Sequence, residues 1–177
     1  MLIRLRKKTA SYFSNIHFVM QAVAPPDEFK CGLHLLKVEC GWAEATDGHR
    51  LHGAFVGDNI ADGFYEKIRY TKTHIVLHRC DDETKISYPK THKVHPAHLE
   101  HVRFDINTRC FDQALTTFYR SYHKKGLTVK YRFLESIFLA MSGISVYYYH
   151  ASQPLVFWDN IKNDKWAVVM PMRIDIT

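Results

Sequence analysis

The chain is poor in several features that would place it in a specialised class. It has only four cysteines in 177 residues, Cys31, Cys40, Cys80 and Cys110. None stands in a C-x-x-C pair, so zinc-ribbon spacing is excluded. No secretory signal is evident. In Met1-Leu-Ile-Arg-Leu-Arg-Lys-Lys8 the charges follow the apolar residues, and no long apolar stretch comes after them. Free thiols in a reducing cytoplasm are expected. The longest near-apolar run, Ile137 to Tyr149, is broken by Ser142, Gly143 and Ser145. It is too short to span a bilayer, so no membrane partner is expected. Glycine and proline are sparse, at 8 and 6, which excludes a collagen-like repeat.

What is present is globular in texture. Hydrophobic residues make up 46% and charged residues 24%, as in an ordinary soluble domain. The length suits about one to one and a half domains, enough to bury a core without staples. Aromatics reach 14%, which favours strands and packed sheet faces. Lys and Arg number 24 against 18 Asp and Glu, a formal charge of +6. Charge of that size fits solubility alone or a polyanionic partner.

Residues 2–6 read as a short strand. Phe13, Ile16, Met20 and Val23 form one stripe of a helix over 9–23, with Thr9 as N-cap and Pro25-Pro26 as its stop. Cys31 to Val38, Trp42 to Ala45 and Leu51 to Val56 then read as a strand meander, and strand character continues from Lys67 to His78. Residues 89–101 are polar and contain two prolines, and read as a connector. The opening pattern then returns: a strand at Val102 to Ile106 and a helix from Thr108 to Tyr122, striped by Phe111, Leu115, Phe118 and Tyr122. Strands follow at Leu127–Phe133, Ile144–Tyr149, Leu155–Trp158 and Trp166–Met172. The expected fold is α+β: one domain over 1–177, made of two strand–helix–strands halves (about 1–88 and 102–177). They would share a continuous antiparallel sheet with both helices on one face.

Opposite its apolar stripe the second helix carries Arg109, Gln113, Thr116 and Arg120, with His123 and Lys124 beyond. The first helix offers Lys7, Lys8, Ser11 and Asn15 in a comparable place. Such a face is either simply solvated or touches phosphates without reading bases. His92, His95, His98 and His101, spaced by three beside Glu100, suggest a metal-dependent enzyme, but Pro96 interrupts any helix there. No metal and no cofactor are expected.

Two segments carry more information. Ala45-Thr-Asp-Gly-His-Arg-Leu51 joins two strands through an Asp-Gly turn. Asp47 and His49 could suggest acid/base chemistry, but no Ser or Cys nucleophile pattern surrounds them. Near the end of the chain, Val168-Val-Met-Pro-Met-Arg173 reads as a strand that Pro171 makes an edge or a strand end. Its two methionines would make a soft apolar surface suited to peptide capture.

Both segments resemble the bacterial DNA polymerase III beta subunit family, the sliding clamps. Weaker similarity runs through Phe29 to Glu39 and Phe104 to Tyr122. In that family the two segments help line a hydrophobic pocket for short peptide motifs of polymerases, clamp loaders and repair proteins. The resemblance implies a pocket of Thr46, Gly48, His49, Arg50 and Leu51 on one side. The other wall would be Val168, Val169, Met170, Pro171, Met172 and Arg173. It also implies helices facing a central hole for duplex DNA, with Lys7, Lys8, Arg109, Gln113, Arg120 and Lys124 turned toward the DNA. The family's chain holds three domains and two chains close a ring; here six copies could do so. The reading is therefore a cytoplasmic, homo-oligomeric processivity factor without catalytic activity. The alternative is a clamp-like adaptor or competitor that binds the same peptides without forming a ring.

Overall fold

The computed structural model describes residues 1–26, 32–82, 84, 86–91, 102–107, 111–122, 127–148 and 153–173. At 102–104, 107, 120–122, 127–128 and 172–173 it describes the backbone alone. The chain divides into two compact units, Met1–Lys90 and Thr91–Thr177.

In the first unit β1 (Leu2–Arg6) is followed by α1 (Phe13–Met20). Then come β2 (Leu35–Glu39), β3 (Trp42–Thr46), β4 (Arg50–Phe55), β5 (Gly63–Tyr70) and β6 (His74–Arg79). The strands are antiparallel in the order β1-β6-β5-β2-β3-β4. Glu39 pairs with Trp42, so β2 and β3 join through two residues. Both of them, Cys40 and Gly41, have positive φ (49° and 76°). That twist matches the twist of the strands it connects.

Helix α1 packs against β3 and β4. It is shorter than the stripe predicts. Tyr12 is its N-cap, without a side-chain bond, and the Thr9 hydroxyl instead donates to the Arg6 carbonyl. The helix is also nearly all buried, with Phe13, Ile16, Phe18, Val19 and Met20 in the core. Asn15 is buried with them and its Nδ2 donates to the Phe55 carbonyl at 2.7 Å. The expectation that Asn15 belongs to a solvated face is therefore corrected.

In the second unit the elements are β7 (Val102–Asn107), α2 (Phe111–Tyr122), β8 (Leu127–Thr128), α3 (Tyr131–Ala140), β9 (Gly143–Tyr148), β10 (Leu155–Asp159), β11 (Lys165–Val169) and β12 (Met172–Arg173). One sheet runs β11-β10-β9-β7, and β12 pairs with β8. Phe118 of α2, Phe138 of α3 and Phe157 of β10 meet with centroids 5.9–6.3 Å apart. Burying three such rings contributes on the order of several kcal/mol. Two expectations are corrected here. The strand over Leu127–Phe133 ends at Thr128, and a third helix follows it. The strand over Trp166–Met172 breaks at Met170-Pro171, because proline has no N–H for the ladder. Residues 92–101 of the proposed connector lie outside the described residues. No helix among the described residues is long and apolar enough to cross a membrane.

Candidate peptide-binding segments and the basic face

The first segment is the β3–β4 turn. Thr46 pairs with Leu51 across the hairpin, and Asp47-Gly48-His49 leads over to Arg50. The Thr46 hydroxyl donates to the Arg50 carbonyl at 2.7 Å and accepts from the Gly48 N–H at 3.1 Å. Asp47 Oδ1 accepts from the N–H groups of His49 and Arg50, both at 3.0 Å. Its other oxygen takes Arg50 Nε at 3.1 Å. Arg50 Nη2 donates to the Gln21 carbonyl at the end of α1.

Asp47 is therefore a turn former that short Asx geometry favours. Its carboxylate is occupied by three donors of its own hairpin. Gly48 has φ +86°, where a β-carbon would be strained, and Leu33 lies 3.8 Å from the place such a carbon would take. Gly48 and His49 are exposed, Arg50 is half-buried, and Thr46 and Leu51 are buried behind them.

The next residue, His52, is completely buried. Its ring stacks on Phe18 at 4.3 Å, and Nδ1 donates to the Phe18 carbonyl at 2.9 Å. Its Nε2 is buried without a partner. Burial pushes its pKa down to about 3, although the Phe18 carbonyl opposes this. Elsewhere on α1, His17 packs against Tyr70 and lies within reach of Gln21. Burial, and then the charges of Lys7 and Lys72, hold its pKa below the usual value.

The second segment comprises β11 and residues 170–173. Every residue of β11 is buried. Val168 and Val169 pair with Val156 and Leu155 and sit in the core of their unit. Met170 is 43% exposed and Pro171 half-buried. The backbone of Met172 and Arg173 pairs with Thr128 and Leu127; their side chains lie outside the described residues. The exposed residues are thus Gly48 and His49 in one segment and Met170 in the other. Leu51, Val168 and Val169 form the apolar backing of their segments.

On the basic face, Lys7 and Lys8 are exposed just after β1. Gln113 is exposed on α2 beside Asp112 and Thr116, while Ala114 and Phe118 are buried. Arg109, Lys124, the Arg120 side chain and the histidines 92, 95, 98 and 101 lie outside the described residues. Among the described residues no cluster of three or more His, Cys, Asp or Glu could hold a metal. Sequence reasoning missed Leu33 and Gln21, which reach the turn through tertiary packing, and His52, whose ring packs on Phe18. Asp47 was visible as a turn residue, but its grip on Arg50 was not.

No family model and no curated relative matches the chain. Among solved structures it is similar to the DNA polymerase sliding clamp from Pseudomonas aeruginosa. The identity is 12%, the TM-score 0.59, and the match covers 98% of this chain and 67% of that one. It is similar to the beta subunit from Streptococcus pyogenes DNA polymerase (13%, TM-score 0.60, 98% and 66%). It is also similar to the DNA polymerase III beta subunit from Thermotoga maritima (14%, TM-score 0.59, 98% and 66%). The chain spans about two thirds of the length of these proteins. Identities this low speak to architecture, and the chain has the fold of the bacterial DNA polymerase sliding clamps.

Proposed function

We propose that this protein is a sliding clamp: copies of the chain close around duplex DNA and tether partner proteins through short peptides. The observation that carries the reading is the clamp fold along 98% of the chain. A Pseudomonas aeruginosa clamp of the same fold is bound to griselimycin, so a surface of this architecture can hold a ligand. Peptide contacts are proposed for Gly48 and His49 on the first segment and for Met170, Pro171, Met172 and Arg173 on the second. Arg50, tied to Asp47 and the Gln21 carbonyl, keeps the turn in shape.

Lys7, Lys8, Arg109, Gln113, Arg120 and Lys124 would hold the DNA backbone through screened contacts that permit sliding. Six clamp domains make the family's ring. Counted as one domain per chain, six copies are needed. Counted by the two thirds of a three-domain chain that this one spans, three suffice. Among the described residues β1 pairs only with β6 and β7 only with β9. These free edges support head-to-tail assembly.

The test is peptide binding. Replacing Met170 and Met172 by Ala is expected to weaken a fluorescent clamp-binding peptide at least tenfold, with the circular dichroism spectrum unchanged. Unaltered affinity in a folded variant would refute the pocket.

A further inference from the structure

The sheet of the first unit has a second face, turned away from α1, and on β1, β6 and β5 that face is basic. Leu5, Ile75 and Leu77 are buried on the helix side. Tyr70 reaches the same side and touches His17 of α1. Strand alternation therefore puts Arg4 and Arg6 of β1 on the other side. There they join His74, Val76 and His78 of β6. A bulge at Lys67/Arg69 in β5 returns Arg69 to the same face, opposite Val76.

Arg4 and Arg69 thus flank Val76 from its two neighbouring strands. That sets them about 10 Å apart, with Arg4 and Arg6 about 7 Å apart along β1. All three arginines and His74 are exposed. The acid at these register positions is Glu66, opposite His78. Three outward guanidiniums on a rigid three-stranded surface match the spacing and chemistry of successive phosphates, which arginine binds in a bidentate fork.

The geometry points to a second nucleic-acid contact on this sheet face, separate from the helix face. Here Arg4, Arg6 and Arg69 grip the phosphate backbone of a strand running outside any ring. Excess positive charge selects a polyanion. The rings at these positions are the imidazoles of His74 and His78, with no Phe, Tyr or Trp platform for bases, which favours backbone contact over base reading. The site does not depend on ring closure or on the peptide pocket.

The experiment uses the full-length protein and fluorescence anisotropy with a labelled 30-nucleotide single strand and the same sequence as a duplex, between 50 and 200 mM salt. The triple variant R4A/R6A/R69A is expected to lose at least tenfold in affinity for one or both probes. Its log–log salt slope should fall by about two to three, one counterion per lost phosphate contact. The control variant R132A/K162A, which removes two exposed charges from the second unit, should leave that slope nearly intact for the probe lost by the triple variant. Should the triple variant fail to fold, the charge-preserving R4K/R6K/R69K serves. Weaker binding at an unchanged salt slope is expected from it, because lysine keeps the charge and loses the fork. Unchanged affinity and slope in folded R4A/R6A/R69A would overturn the site. So would equal binding of labelled polyglutamate that depends on the same arginines, which would make the occupant an acidic protein segment.

Discussion

The carboxylate of Asp47 accepts from the N–H groups of His49 and Arg50 and from the Arg50 guanidinium. Removing it leaves those donors to water and frees a half-buried charge that also holds the end of α1 through the Gln21 carbonyl. Asp47→Ala is therefore expected to cost roughly 1–3 kcal/mol of stability and to loosen the turn that presents Gly48 and His49. Asp47→Asn keeps an acceptor and should recover part of that loss. Urea unfolding of the three proteins checks it. An Asp47→Ala midpoint equal to that of the parent would show that the Thr46 hydroxyl alone sets the turn.

His52 of β4 is one of the links to helix α1, through the Phe18 carbonyl. His52 is held neutral by burial, with its pKa near 3 against 6.5 in the unfolded chain. Below pH 6.5 the unfolded chain binds a proton that the native protein does not. This contribution is therefore complete above pH 6.5 and lost progressively as pH falls toward 3. Between pH 7 and 4.5 the wild type should lose up to about 2 kcal/mol more than His52→Gln, which has no such proton to bind. Urea midpoints at the two pH values measure it, and identical pH dependence in both proteins would contradict it.

Most elements of this kind were legible in the sequence. The meander from β2 to β4 and the strand–helix openings of both halves follow from alternation, stripes and turn residues. Helix α3 was not. Its buried residues Phe133, Leu134, Ile137 and Phe138 have helical spacing, but the strand read from Leu127 runs on into Phe133, and no element is read between Phe133 and Ile144. The buried face of α1 was misread for a related reason. Asn15 is polar, yet tertiary packing gives it the Phe55 carbonyl.

At the scale of the whole molecule, the sequence resemblance led to the clamp fold although only two short segments are sharp. The candidate site was legible as segments; which residues face outward was not, because burial of Leu51, Val168 and Val169 is set by sheets the sequence does not display. Encirclement of DNA requires copies to assemble, because a single chain of 20.7 kDa is too small to supply the ring alone. Light scattering across a concentration series, with and without nicked circular DNA, addresses this. The expected result is one concentration-independent species of three or six copies, about 62 or 124 kDa, from a closed ring. A persistent 20.7 kDa monomer under both conditions would contradict encirclement and leave a peptide-binding module in its place.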